Sequence, residues 1–289
     1  MFDFIFPSPY SIISITAIGM VFGLILSLAK LKLKVERDPR FEKILALLPN
    51  ANCGACGQPG CAGYARLIVE GGAPITLCPA TSGETVKKIA DIMGIEAEAP
   101  VSRKARVHCQ GGIVITGTRF IYTGPKSCTA AQQVMDGFKI CQYGCLGLGD
   151  CIRSCPFDAI HFNEIGLPVV DTERCTGCGN CVEACPRGII ELIDERFDVY
   201  VMCKNEEKAS VMKKGCTVGC IGCKRCVKAC MEVFADNPDI ETAITVDNFV
   251  AVIDYDLCIN CYRCAEVCPV PVIHPTGRSQ KKAQSEEGE

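Results

Sequence analysis

The chain has 289 residues, 24 of them cysteine, with no tryptophan, 7% aromatic residues and a formal net charge of −3. That cysteine content points to a disulfide scaffold or a metal protein, and the acidic balance excludes a nucleic-acid binder. So few aromatic residues leave a thin core for the length, which bound metal can compensate because metal binding contributes folding free energy directly.

The first predicted element is a transmembrane anchor. Phe4 to Ala29 carries no charged residue, and Ile12 to Leu28 is largely apolar. About 20 such residues cross a bilayer core. No Lys or Arg precedes this stretch, whereas Lys30, Lys32, Lys34, Arg37 and Arg40 follow it. That asymmetry puts the rest of the chain in the cytoplasm, and a cleaved leader would show the opposite order of charge. A reducing compartment makes disulfides the weaker reading of the cysteines.

Arg37 to Leu48 reads as an amphipathic helix stopped by Pro49, with Phe41, Ile44, Leu45 and Leu48 on one face. A compact segment follows. In it Ala62 to Glu70 is predicted helical up to Gly71-Gly72, and Thr81-Ser82-Gly83-Glu84 forms a capping box for a helix running to Ile92, with Gly94 as its stop. The segment contains Cys53-x2-Cys56-x4-Cys61-x16-Cys78-Pro79. Glu96 to Lys104 is read as linker.

From Val107 the sequence repeats itself. Cys141-x3-Cys145-x5-Cys151-x3-Cys155 recurs as Cys216-x3-Cys220-x5-Cys226-x3-Cys230. Val107-His108-Cys109 matches Val201-Met202-Cys203, and Val169-Val170-Asp171-x3-Cys175 matches Val252-Ile253-Asp254-x3-Cys258. Within the repeat, Cys175-x2-Cys178-x2-Cys181-x3-Cys185-Pro186 and Cys258-x2-Cys261-x2-Cys264-x3-Cys268-Pro269 have the run of bacterial ferredoxins, and Cys220-x2-Cys223-x2-Cys226-x3-Cys230 has its spacing with Met231 in place of proline. Thiolates two residues apart let one tight loop reach three corners of a cubane. Structural zinc favours two separated Cys pairs instead.

The paired runs resemble two-cluster bacterial ferredoxins. The resemblance implies that Cys220, Cys223, Cys226 and Cys268 share one [4Fe–4S] cluster, Cys258, Cys261, Cys264 and Cys230 a second, and Cys175, Cys178, Cys181 and Cys155 a third. The fourth position of the pattern has Cys145, Cys151 and Cys185, but Leu148 stands where the repeat has Cys223. Two completions are open. Cys128, which has no counterpart in the repeat, supplies the ligand, and the symmetric leftovers Cys109, Cys141, Cys203 and Cys216 hold a cluster between the modules. Alternatively Cys141 completes the site and the others are free thiols. The segment Cys53, Cys56, Cys61 and Cys78 resembles the small four-iron–four-sulfur domain. The first completion uses all 24 cysteines in six clusters. Clusters would make the holoprotein more acidic still, roughly −15. Lys213, Lys214, Lys224, Arg225 and Lys228 flank one run and are expected to form part of a docking surface for an acidic donor. His108, His161 and His274 are expected to be structural, and no dinucleotide or phosphate-binding loop is present.

The whole order resembles the B subunit of the Rnf complex, the ion-translocating ferredoxin:NAD oxidoreductase, in its cluster-rich long form. The resemblance rests on the apolar N-terminus, on Asn52-Cys53-Gly54-Ala55-Cys56-Gly57 and on Cys141-Gln142-Tyr143-Gly144-Cys145-Leu146-Gly147-Leu148-Gly149. Cys155-Pro156-Phe157-Asp158-Ala159-Ile160 and Gly219-Cys220-Ile221-Gly222-Cys223 add to it. It implies an electron-transfer subunit, with no complete catalytic site of its own, that takes electrons from reduced soluble ferredoxin and relays them to membrane-embedded partner subunits. The complex couples this to NAD reduction and Na(+) or H(+) export. A membrane-tethered polyferredoxin serving a hydrogenase or a corrinoid-linked enzyme is the alternative. The expected fold is α+β: a single-pass anchor in the cytoplasmic membrane (1–34), a mainly α four-iron–four-sulfur domain (35–95), a linker (96–106), two ferredoxin-type modules (107–195 and 196–275) and a disordered tail (276–289).

Overall fold

The computed structural model describes residues 9–32, 38–96, 100–234 and 242–275. The expected tail, 276–289, lies outside them. Helix α1 (Pro9–Lys32) exposes large apolar side chains from Ile13 to Leu28. Its described side chains are Tyr10 and residues 13–29, and among the described residues no helix is long and apolar enough to cross a membrane.

Three helices build the next unit. Helix α2 (Pro39–Leu47) starts at Asp38, whose side chain accepts from Arg40 N at 2.8 Å, with Pro39 preset for the first turn. Helix α3 is Cys61–Val69 and helix α4 is Gly83–Met93, ended by left-handed Gly94. The cap of α4 is Ser82, not Thr81 as a capping box over 81–84 requires. Ser82 Oγ accepts from Thr85 N, whereas the Thr81 hydroxyl is committed to Cys78 O at 2.7 Å. Glu84 therefore pairs with Lys88 one turn on rather than closing the box. Ile44, Tyr64, Ile68, Val86 and Ile89 form the core of this unit.

The remaining chain is two copies of one topology. In the first, β1 (Arg103–Val107) is followed by α5 (Cys128–Gln132), α6 (Asp150–Arg153), β2 (Ile160–Phe162), β3 (Pro168–Val170), α7 (Asn180–Glu183) and β4 (Ile190–Asp194). The outer strands β1 and β4 pair antiparallel, as do β2 and β3. Strand β1 begins at Arg103, inside the segment expected as linker, because Arg103 to Arg106 lie in register with Asp194 to Glu191. The second copy has β5 (Val199–Val201), α8 (Ala209–Met212), α9 (Arg225–Val233), β6 (Ile244–Asp247), β7 (Val250–Ile253), α10 (Arg263–Glu266) and β8 (Ile273–Pro275). Again the outer strands β5 and β8 pair, and so do β6 and β7.

The strands contribute Ala105, Val107, Ile160 and Ile190 to the core of the first copy, and Val199, Val201, Ile244 and Ile273 to that of the second. Buried cysteines belong to both cores, so the apolar layer also forms the wall around the sulfurs. The first copy has an added lobe over residues 113–140, where Phe138, Ala131 and Cys128 pack on Leu146 with Leu148 alongside. The fold is mixed α and β, with ferredoxin-type halves.

Candidate metal centres

All 24 cysteines are free thiols. The structure gathers them into six quartets. Cys53, Cys56, Cys61 and Cys78 make the first; burial raises the Cys78 thiol, and the three others raise it further. Asn52 secures this loop: its Oδ1 accepts from Cys61 N at 2.9 Å at the start of α3. Cys155, Cys175, Cys178 and Cys181 make the second, with Cys181 pushed up to about 12 by burial and by its neighbours. Cys128, Cys145, Cys151 and Cys185 line one pocket and make the third. Cys109, Cys141, Cys203 and Cys216 line another between the two copies and make the fourth. Cys220, Cys223, Cys226 and Cys268 share the fifth, and Cys230, Cys258, Cys261 and Cys264 the sixth.

The cysteine runs achieve this through backbone handedness. In Cys175–Cys181 the residues on either side of the second cysteine, Gly177 and Gly179, have φ of 69° and 87°. In Cys258–Cys264 the equivalent residues are Asn260 and Tyr262, at 59° and 68°. Each such pair folds the loop back so that consecutive thiols converge, and the second residue then begins a short helix. Gly147 and Gly149 repeat the pattern around Leu148. The backbone for a ligand thus survives there with a leucine on it, and Leu148 instead packs against the lobe that brings in Cys128.

The quartets form an unbroken row. Asn180 Nδ2 donates to Cys53 O at 3.4 Å, and the Cys53 thiol lies close enough to raise Cys178, so the first meets the second. Cys151 acts on Cys181, linking second to third. Cys145 N donates to Cys109 Sγ at 3.4 Å, linking third to fourth. Cys220 N donates to Cys203 Sγ at 3.3 Å, linking fourth to fifth. Cys226 acts on Cys264, linking fifth to sixth.

Burial first, then neighbouring thiols, pushes Cys145, Cys151, Cys203 and Cys264 up to about 12 and Cys226 up to about 11. Crowded buried thiols of this kind become stable thiolates only when a bound cationic centre takes up their charge. Among the described residues no three His, Cys, Asp or Glu side chains draw together around one ion, so the fit is judged on the donor sets and walls. Each quartet offers four thiols, the donor set of a [4Fe–4S] cluster. The fourth pocket also has walls without side chains. A Cβ on Gly111 would lie 3.3 Å from Cys216 Sγ, and one on Gly144 would lie 3.3 Å from Cys141 Sγ. The residues present fit iron–sulfur clusters.

Most sulfurs are covered. Only Cys223 and Cys261 are exposed. Lys213, Lys214, Lys224, Arg225 and Lys228 are exposed near Cys223 in sequence. His108 is buried, with Nδ1 2.6 Å from Val201 O and Nε2 3.2 Å from Glu191; His161 is exposed, and the side chain of His274 lies outside the described residues. Two residues that the cysteine pattern alone does not single out face the fourth quartet. Asn205, buried, donates through Nδ2 to Cys141 Sγ and through its backbone N to Cys203 Sγ, both at 3.4 Å. Lys139 is fully buried. The repeat carried a hint of the second, since a lysine stands two residues before both Cys141 and Cys216.

Comparison with known proteins identifies iron–sulfur domains in the chain. An Fe-S cluster model matches residues 48–80, a 4Fe-4S binding domain model residues 168–191, and a 4Fe-4S dicluster domain model residues 219–272. The chain is 44% identical over 255 residues (88% of this chain, 74% of the relative) to the B subunit of the Na(+)-translocating ferredoxin:NAD(+) oxidoreductase complex of Acetobacterium woodii. It is 39% identical to the B subunit of the ion-translocating oxidoreductase complex of Methanosarcina acetivorans, covering 91% of this chain and 96% of that one. It is 37% identical to the B subunit of the proton-translocating ferredoxin:NAD(+) oxidoreductase complex of Clostridium ljungdahlii, covering 91% and 90%. The chain belongs to the family of B subunits of these ion-translocating ferredoxin:NAD(+) oxidoreductase complexes, the Rnf family.

Proposed function

We propose that this chain is the electron-relay subunit of a membrane-bound ferredoxin:NAD oxidoreductase complex and holds six [4Fe–4S] clusters, one per quartet. The observation that carries the reading is the unbroken row of quartets. Clusters bound there supply one-electron storage at low potential. The protein supplies the rest: thiols at fixed spacing, an apolar wall that excludes water, and backbone N–H donors to sulfur.

The row has two unlike ends. At one end Cys223 and Cys261 are exposed, beside exposed Lys224, Arg225 and Lys228. This end suits an acidic soluble ferredoxin as donor, steered by the basic side chains. At the other end is the quartet of the N-terminal unit, which follows α1 in the chain. We assign α1, with the residues before it and the basic residues after it, as a single-pass anchor in the cytoplasmic membrane. The anchor delivers the first quartet to membrane-embedded redox subunits, and NAD reduction and Na(+) or H(+) export take place on those partners. The division expected from sequence is retained: anchor, four-iron–four-sulfur domain and two ferredoxin-type modules, the first beginning at β1.

The test is anaerobic purification of the complex from membranes, with iron and sulfide analysis and a ferredoxin-to-NAD assay at varied Na(+). The expected result is about 24 irons in this chain, co-purification with the membrane subunits, and loss of ferredoxin-driven NAD reduction when residues 1–34 are deleted. A colourless, zinc-loaded chain overturns the reading.

A further inference from the structure

Lys139 is the one charged side chain among the described residues with no exposed surface. Its Nζ donates to Gly111 O at 3.2 Å, and among the described residues it has no carboxylate partner. Burying an ammonium without a counter-charge costs several kcal/mol. The groups near it that carry negative charge once they serve as ligands are the sulfurs of Cys109, Cys145 and Cys141, two from the fourth quartet and one from the third, with Arg187 as the nearby like charge. Its place is fixed by the fold. Lys139 forms an antiparallel bridge with Thr118, Ile140 N donates to Gly117 O at 2.9 Å, and Ile140 fills the space above Gly215, where a Cβ would lie 2.4 Å from Ile140 Cγ2. The bridge aims the lysine at the sulfurs. Lys214, at the same place in the repeat, is exposed.

We propose that Lys139 sets the reduction potential of the fourth site, in the interior of the row, by acting as its internal counter-charge; this rests on the six-cluster reading. Reduction adds one negative charge to the group held by Cys109, Cys141, Cys203 and Cys216. A positive charge in a low-dielectric interior favours the reduced form more than the oxidised one. Donors to sulfur act in the same direction, and this quartet receives them from Cys145 N, Cys220 N, Asn205 N and Asn205 Nδ2. Burial alone disfavours the added charge, so without Lys139 this covered site would be harder to reduce and would interrupt the row.

The experiment is an EPR-monitored redox titration of the full chain prepared anaerobically. Cys216→Ser identifies the signal of the fourth site. In Lys139→Met and Lys139→Gln that signal should titrate at a lower potential, with the equilibrium constant for reduction down at least tenfold, or 59 mV for a one-electron couple. Lys214→Met serves as the control and should leave it in place. The proposal is overturned if both Lys139 variants titrate with the wild type, if Lys214→Met moves the signal equally, or if both Lys139 variants lose the signal, which would make the lysine an assembly residue. If Cys216→Ser changes neither iron content nor any signal, the six-cluster reading falls first.

Discussion

The two ferredoxin-type halves share one topology and one cysteine spacing, yet they treat their sulfurs differently. In the first half no cysteine is exposed, and an added lobe seals the third quartet. In the second half Cys223 and Cys261 reach solvent, and the chain between β5 and α9 carries no comparable lobe. The added lobe and the leucine at a cysteine position set the first half apart, and only the second half has cysteines at the surface. The difference at Leu148 therefore goes with the lobe. Once an apolar lobe packs over that turn, a leucine contributes burial of about 2 kcal/mol, and the ligand can come from the lobe itself as Cys128.

The sharpest way to break the comparison is at that exchange. Cys128→Ser should remove the third cluster, about four irons per chain, and leave the fifth untouched. Adding Leu148→Cys to it should recover iron, because Gly147 and Gly149 keep the left-handed turns that a ligand there needs. Iron and sulfide analysis of the single and double variants decides this. Iron unchanged in Cys128→Ser would return the site to Cys141.

A smaller effect tests the exposed half. Lys224, Arg225 and Lys228 have no ion-pair partner among the described residues, whereas the corresponding exposed Arg153 of the first half is tied to Asp150 and donates to Lys126 O. Free charges steer a partner; a neutralised one does so weakly. The double variant Lys224→Gln and Arg225→Gln should slow reduction by ferredoxin about tenfold at low salt and flatten its salt dependence. Arg153→Gln should do neither. Stopped-flow reduction at two ionic strengths separates them.

These features differ in how legible they were from sequence. The runs were readable because thiols separated by two residues let one loop reach three corners of a cubane, and because the repeat exposed Leu148 as a gap and Cys128 as a surplus. The charge asymmetry around the apolar N-terminal stretch was readable from sequence, whereas among the described residues no helix is long and apolar enough to cross a membrane. The cap of α4 was misplaced by one residue, since nothing local reveals that Thr81 spends its hydroxyl on Cys78 O. The burial of Lys139 was hidden for a stronger reason. Lys139 and Lys214 are the same residue at the same repeat position, and what sends one inward is the packing of Ile140 against Gly117 and Gly215, a contact across 75 residues. The strand at Arg103 was hidden likewise, because its partner lies in β4.

The seam between the halves offers the smallest test. Glu191 on β4 of the first half accepts from Lys204 of the second, and lies 3.2 Å from His108 Nε2, whose other nitrogen sits 2.6 Å from Val201 O. The close approach of His108 at 3.2 Å, with Lys204 adding to it against burial, holds the Glu191 carboxyl down at about 2 from an ordinary 4.5. A carboxylate depressed in the folded state stabilises the protein above its unfolded pKa and loses that contribution as pH falls through 4.5 towards 2. Its side chain is 46% exposed, so solvent screens the pairs and the contribution at neutral pH is about 1 kcal/mol at most. Glu191→Gln should lower the denaturant midpoint of the anaerobic protein slightly at about pH 7 and by progressively less below about pH 4.5. A gap that stays constant or widens on acidification would show that Glu191 acts through packing rather than charge, and that the halves are joined by their shared fourth quartet without help from this pair.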